Sequence, residues 1–167
     1  MYDYRFPDPI FNSWVQLQQA WTAVERIMSL ELGKVGLSHI KAFALWVCQD
    51  YKGPLTPTEL ARVLSRESNS IVQLLARMEK EGLVTRIPKR KGHPFTEIQI
   101  TDKGRGALRP AIEVIRTLSA NVLSALSDEE LKQWQALLRK VQLKALQEMR
   151  LELAPLPAAF CGNTKTK

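Results

Sequence analysis

The sequence has few of the residues on which metal binding and covalent catalysis usually depend. Among its 167 residues are two cysteines, Cys48 and Cys161, and two histidines, His39 and His93. No Cys/His cluster has the spacing of a zinc site, and two cysteines cannot form a disulfide framework. Glycine-rich phosphate loops and the Gly-x-Ser-x-Gly nucleophile motif are also absent. We therefore expect no metal, no cofactor and no enzymatic activity.

Long hydrophobic runs are missing as well. No apolar segment approaches the ~20 residues that a membrane helix needs, and residues 1–9 carry charges in place of an apolar signal core. A cytoplasmic protein without a membrane partner is expected. With 45% hydrophobic and 25% charged residues, the chain can build one compact domain.

Positive charge is concentrated in the middle of the chain. Residues 55–110 contain 11 Lys/Arg and 6 Asp/Glu, so this third carries +5 of the net charge of +7. Such a concentration is typical of a surface that faces a polyanion such as double-stranded DNA. The alternative is a solvated basic surface without a partner.

Two long helices with heptad-like apolar seams are predicted near the ends of the chain. The first covers residues 9–32, and the last opens at a Ser127–Glu130 capping box. Seams of this kind predict a homodimer, with intramolecular packing as the alternative. The residues assigned to the dimer interface are Ile10, Trp14, Trp21, Leu131, Trp134 and Leu138.

The middle of the chain alternates between helical and strand-like patterns. A helix follows Ser38, and Thr56-Pro57 with Glu59 predicts a short helix with a capping box. A second helix over 68–81 ends at Gly82. Strands over 83–87 and 96–100 flank a basic loop, and a helix that contains Pro110 starts late or is kinked there.

This order predicts a winged helix-turn-helix. The fold class is mainly α with a small two- or three-stranded β-wing and a helical dimerisation region. The winged helix-turn-helix covers residues 37–104, and the dimerisation region covers 1–36 and 105–152. Residues 153–167 are expected to form a flexible tail.

The helix over 68–81 has the two faces that a recognition helix needs. One side is apolar, and the opposite side carries no large apolar group. Asn69, Ser70 and Gln73 are assigned to base edges in the major groove. Arg77 and Lys80 are assigned to the DNA backbone, and Ser68 either caps the helix or contacts a phosphate.

The loop between the strands is predicted to be the tip of the wing. Its candidate DNA contacts are Lys89, Arg90, Lys91 and His93, with an ordinary loop residue as the alternative for His93. An arginine at such a tip fits a narrow minor groove. Arg86, at the base of the hairpin, either holds the wing or contacts phosphate.

Three segments resemble the MarR family of bacterial transcriptional regulators. They are LTPTELARVL at 55–64, SNSIVQLLARMEKEGLVTR at 68–86, and ITDKG at 100–104. The resemblance implies a homodimer whose first, fifth and sixth helices form the base. It also implies two winged domains on a pseudo-palindromic operator, and in many members a small phenolic or lipophilic effector.

The resemblance also implies a wing in which an Asp orients a nearby Arg. This chain has no acidic residue between Glu81 and Glu97, so Arg90 and Lys91 both remain candidates for the minor groove. Arg90 is preferred because a guanidinium loses its water more easily than an ammonium. The family's effector pocket lies between the dimer base and the winged domain. Its candidate lining residues are Trp14, His39, Phe43 and Trp46, and the alternative is plain core.

The expected function is therefore that of a DNA-binding transcriptional repressor that acts as a homodimer and is released by a small effector. A winged helix used only for protein–protein contact is the alternative. That alternative needs neither the basic cluster at 89–91 nor a polar stripe of small residues. A small enzyme with an unrecognised site is a third and weaker hypothesis.

Overall fold

The described part of the chain folds into six helices and a two-stranded antiparallel sheet. A computed structural model describes residues 5–88 and 96–149, so the predicted wing tip and tail lie outside the described residues. The elements are α1 Pro9–Lys34, α2 His39–Asp50, α3 Pro57–Val63, α4 Ser68–Lys80, β1 Val84–Ile87, β2 Glu97–Ile100, α5 Asp102–Leu123 and α6 Asp128–Glu148. The predicted fold class is confirmed, with two strands in the described part of the wing.

The helix starts follow from local capping chemistry. Asp8 caps α1 by accepting hydrogen bonds from the N–H groups of the next residues, and Pro9 occupies the first helical position. The Thr56 hydroxyl caps α3, but the Glu59 carboxylate binds Arg62 at 2.9 Å and does not complete a capping box. At α6 both bonds of the predicted capping box are present.

The core is centred on α2. This helix packs against α1, α3, α5 and β2, so most of the other elements are arranged around it. Each of these elements contributes apolar side chains that water does not reach, and burial of this kind stabilises the fold by ~25 cal/mol per Å² of apolar surface. The largest fully buried side chains are Leu32, Leu45, Leu60, Ile71, Leu75, Met78, Val84 and Leu108.

The turn from α4 into β1 is determined by Gly82. Its φ of +72° is in the left-handed region that favours glycine. The Leu83 N–H then donates to the Met78 carbonyl at 2.9 Å and closes the end of the helix. The strands pair with Val84 opposite Ile100. The Ile98 N–H donates to the Leu55 carbonyl at 2.8 Å, which ties the segment before α3 to β2.

Helix α5 begins at Asp102, capped by the Thr101 hydroxyl, and continues to Leu123. Pro110 lies inside the helix, so the alternative of a late start is wrong. Near its first turn α5 approaches the end of β1 closely, because a Cβ added at Gly104 would lie 2.2 Å from the Leu83 carbonyl oxygen. Only glycine permits this contact.

The two terminal helices bury little within the single chain. Of the 26 residues of α1 only Leu32 is buried, and α6 has no buried residue. Among the described residues, none of the helices combines the length and hydropathy of a membrane span. The exposed large apolar residues of α1 and α6 are Ile10, Phe11, Trp14, Leu17, Trp21, Ile27, Leu30, Trp134, Leu137, Val141 and Leu143.

Candidate nucleic-acid interface

Helix α4 has an apolar face and an exposed polar face. The apolar face is buried against the core through Ile71, Leu74, Leu75 and Met78. The exposed face contains every residue predicted for DNA contact on this helix, namely Ser68, Asn69, Ser70, Gln73, Arg77 and Lys80. The structure therefore places the predicted recognition residues together on a free surface.

Two details of α4 differ from the sequence-based expectations. Glu67 occupies the N-cap position without a side-chain bond, and Ser68 is the first helical residue, so the capping role for Ser68 is wrong. Val72 is 48% exposed on the flank of the polar face. At 100° per residue it lies about 70° from the centre of that face, so the flank does contain a large apolar group. The sequence-based assignment overlooked it because only the centre of the stripe was counted.

Glu79, in the last turn of α4, binds Arg86 on β1. Its Oε2 accepts from the Arg86 Nε at 2.7 Å and lies 2.6 Å from Nη2. The other oxygen, Oε1, accepts from the Arg86 backbone N–H at 3.2 Å. These bonds from Arg86 hold the pKa of the Glu79 carboxyl below its usual value. Of the two roles predicted for Arg86, this geometry favours holding the wing.

The backbone bond from Arg86 is explained by the strand pairing. Arg86 lies opposite Ile98, and the Ile98 N–H points away to Leu55. In an antiparallel ladder such a pair does not exchange hydrogen bonds, so the Arg86 N–H also points outward, at the free edge of β1. The Glu79 carboxylate therefore accepts hydrogen bonds both from the outward-facing backbone N–H of Arg86 and from its guanidinium.

The neighbouring Glu81 holds the same end of α4 to different elements. Its carboxylate accepts from the Lys41 Nζ on α2 at 2.6 and 2.7 Å. Its carbonyl accepts from the Lys103 Nζ on α5 at 2.8 Å. Glu81 thus connects the recognition helix to the core helices, whereas Glu79 connects it to the strand that leads into the wing.

The predicted wing contacts Lys89, Arg90, Lys91 and His93 lie outside the described residues. Their assignment remains a prediction.

Aromatic residues form a continuous row between α1 and α2. The ring of His39 lies 4.7 Å from that of Phe43, which lies 5.8 Å from Trp46, and Trp21 of α1 lies 6.4 Å from His39. Three of the four predicted pocket residues are therefore neighbours. Among the described residues, the tryptophan of α1 that contacts His39 is Trp21, whereas the sequence predicted Trp14 as the lining residue from this helix.

Burial between these helices lowers the pKa of His39, with Glu25 opposing the shift and Arg66 adding to it. The row is thus apolar and aromatic, and its histidine favours the neutral form.

Cys48 lies on α2 beside the core. Burial raises the pKa of its thiol to about 12, so the reactive thiolate is almost absent at neutral pH. This geometry disfavours a role for Cys48 in redox sensing.

The arrangement of helix, turn, helix and hairpin, with a polar recognition helix on the surface, defines a winged helix-turn-helix protein. Residues 41–91 match the model of the MarR family. This part of the chain, from α2 to the start of the wing, is therefore similar to the MarR family of transcriptional regulators.

Solved structures of such regulators have the same fold over most of the chain. An organohalide-sensing transcriptional regulator, RdhR, in its 2,4-dichlorophenol-bound form is 22% identical with a TM-score of 0.77, covering 94% of this chain and 98% of that one. MepR of S. aureus in complex with DNA is 18% identical with a TM-score of 0.74, covering 83% and 99%. A MarR family transcriptional regulator from Streptomyces coelicolor is 24% identical with a TM-score of 0.72, covering 83% and 96%.

Proposed function

We propose that the protein is a transcriptional repressor that binds a pseudo-palindromic operator as a homodimer. The observation that carries this proposal is the exposed face of α4, which is polar at its N-terminal end and basic at its C-terminal end. Such a face matches the donor and acceptor groups of the major groove and the phosphates beside it. The structural relative MepR forms a complex with DNA.

The residues of α4 divide by the part of DNA that each would contact. Asn69, Ser70 and Gln73 are proposed to bind base edges, because recognition helices read bases with their N-terminal residues. Ser68, Arg77 and Lys80 are proposed to contact phosphates. The wing would add backbone and minor-groove contacts through Lys89, Arg90, Lys91 and His93.

The homodimer is supported by the exposed apolar faces of α1 and α6. Ile10 is 82% exposed, and Trp14, Trp21 and Trp134 are all more than 40% exposed. Exposed apolar faces of this kind are costly in water and typical of an interface. Leu131 and Leu138 are half-buried on the same helix as Trp134 and complete the proposed contact. A two-fold dimer would place the two α4 helices about 34–36 Å apart, one turn of DNA.

The effector is proposed to be a small phenolic or lipophilic molecule. Supporting observations are the aromatic row at His39, Phe43 and Trp46 with Trp21, and the 2,4-dichlorophenol bound by the structural relative RdhR. Trp14 remains a candidate lining residue, because its large exposed ring lies on the same helix as Trp21. Binding at this row would change how α1 sits on α2 and so the spacing of the two winged domains.

The proposal is tested at Gln73, which is proposed to contact a base edge. The unchanged protein first selects a duplex from a random-sequence pool. Binding of Gln73→Ala and of the unchanged protein is then measured on the selected duplex and on random duplex. We expect a loss of about 1–3 kcal/mol on the selected duplex and little change on random DNA. The matched control is Gln49→Ala, the same substitution at an exposed position of α2.

Equal losses on both duplexes would show that Gln73 reads no base. If the protein selects no duplex and shows no salt-dependent DNA binding, the winged helix is instead a protein–protein contact module.

A further inference from the structure

Two parts of the proposed DNA-binding surface must be held in one orientation, namely the recognition helix and the strand that leads into the wing. In the described residues α4 and β1 are joined covalently by a short turn at Gly82 and laterally by the Glu79–Arg86 contacts. The buried side chains of Val84, Ile98 and Ile100 hold the hairpin against the core, whereas Arg86 and Ile87, at the far end of β1, are only half-buried. The lateral contact holds this far end to α4, because it involves both the side chain and the backbone N–H of Arg86.

The sequence of the wing makes this lateral contact more important. This chain has no acidic residue between Glu81 and Glu97, so no carboxylate within that stretch can orient the cations of the predicted wing tip. In the described structure the Glu79 carboxylate, which comes from the recognition helix itself, binds the Arg86 side chain on the hairpin.

We infer that Glu79 is a positioning residue for DNA binding, which acts by clamping Arg86 and the edge of β1 to the end of α4. This inference rests on the proposed function. It assigns Arg86 to holding the wing base, and it makes helix and wing one rigid unit. Glu79 itself touches no DNA in this role.

A positioning role for Glu79 and simple electrostatics predict opposite effects of Glu79→Gln on the affinity for DNA. Removing a carboxylate beside DNA lowers repulsion of phosphates and should tighten binding. Glu79→Gln also frees the Arg86 guanidinium, which would add a phosphate contact if Arg86 served that purpose. A positioning role requires the reverse, because a wing that pivots loses contacts with the backbone.

The experiment compares Glu79→Gln with Glu81→Gln in the full-length protein on the selected duplex. Both substitutions remove the same charge from the same end of α4, but Glu81 contacts α2 and α5 and not the hairpin. We expect Glu79→Gln to weaken binding on the order of tenfold and to reduce the salt dependence by about one phosphate contact. Glu81→Gln should bind as tightly as the unchanged protein or more tightly.

Two further measurements distinguish a positioning role of Glu79 from a general contribution to the stability of the fold. Urea unfolding of each variant reports whether the fold is intact, and amide hydrogen exchange at Arg86 reports whether its edge N–H has lost its acceptor. Arg86→Lys serves as the second variant, since it keeps the charge but lacks the forked donor. It should weaken binding as Glu79→Gln does.

Tighter binding or a steeper salt dependence in Glu79→Gln would overturn the positioning role and indicate a phosphate contact by Arg86. Equal effects of Glu79→Gln and Glu81→Gln, or no effect of either, would overturn it as well. Absence of duplex binding by the unchanged protein is a different result. It would overturn the proposed function, and the positioning role with it.

Discussion

The winged part of the chain buries its apolar side chains within the same chain, whereas the terminal helices leave most of theirs exposed. In α4, which has 13 residues, four apolar side chains are buried within the same chain. In α6, which has 21 residues, none is buried, although its apolar residues recur at helical spacing. Helix α1 resembles α6 in this respect, since Leu32 near its C-terminal end is its single buried residue.

This difference indicates which part of the molecule folds on its own contacts. The winged part has a closed core around α2, so its stability depends on packing inside one chain. The terminal helices instead expose apolar faces that include three tryptophans, which the second copy of the proposed dimer would cover. Three predictions test this contrast.

The largest effect is expected at Gly104, where α5 meets the end of β1. Gly104→Ala would place a methyl group 2.2 Å from the Leu83 carbonyl oxygen. Because backbone must move to relieve this contact, we expect the free energy of unfolding to fall by about 3 kcal/mol. Urea unfolding at fixed protein concentration measures it.

The matched control is Gly106→Ala, two residues further along α5. A Cβ at Gly106 meets no atom within 4 Å, so this change should stabilise the helix by about 0.5–1 kcal/mol. Similar effects of the two substitutions would contradict the close approach of α5 and β1.

A smaller effect is expected at Trp134, which is 42% exposed on α6. Trp134→Glu places a charge in the proposed interface, and we expect the dimer to weaken by about 2 kcal/mol, or roughly thirtyfold in Kd. Sedimentation equilibrium measures this change. The control is Gln133→Glu, which adds the same charge at the adjacent exposed residue. A dimer that tolerates Trp134→Glu as well as the control would place the interface elsewhere.

The smallest effect is expected at His39, between the terminal helix α1 and α2. Burial holds the pKa of its imidazole in the folded protein below the usual value of 6.5. The unfolded chain therefore binds a proton first as the pH falls, and stability is lost from about pH 6.5 down to the lowered folded pKa. Stability should fall less steeply over this window in His39→Gln.

Glu25 supplies the opposite test of the same contact, because its charge raises the pKa of His39. Glu25→Gln should lower that pKa further and steepen the loss of stability below about pH 6.5. Thermal or urea unfolding between about pH 7.5 and 5.5 measures both slopes. An unchanged slope in both variants would show that His39 is solvated like an ordinary surface histidine.

Local chemistry accounts for the parts of the fold that were predicted correctly. The Thr56 cap with Pro57, the left-handed Gly82 and the Ser127 capping box each depend on residues within one turn of each other. The position of the polar face of α4 follows from helical periodicity, which is why its candidate DNA contacts emerged on one surface. Pro110 was harder to place, because neighbouring packing can hold a proline inside a helix that local rules would end.

The sequence by itself determined the order of the elements, the two-faced recognition helix and the lack of an acidic residue between Glu81 and Glu97, because these depend on neighbours in the chain. Only the tertiary structure decided that Glu79 binds Arg86, that Trp21 joins His39, and that α5 requires a glycine at Gly104. Each of these contacts joins two separate elements. Their geometry depends on how those elements cross, and helical or strand periodicity alone does not specify it.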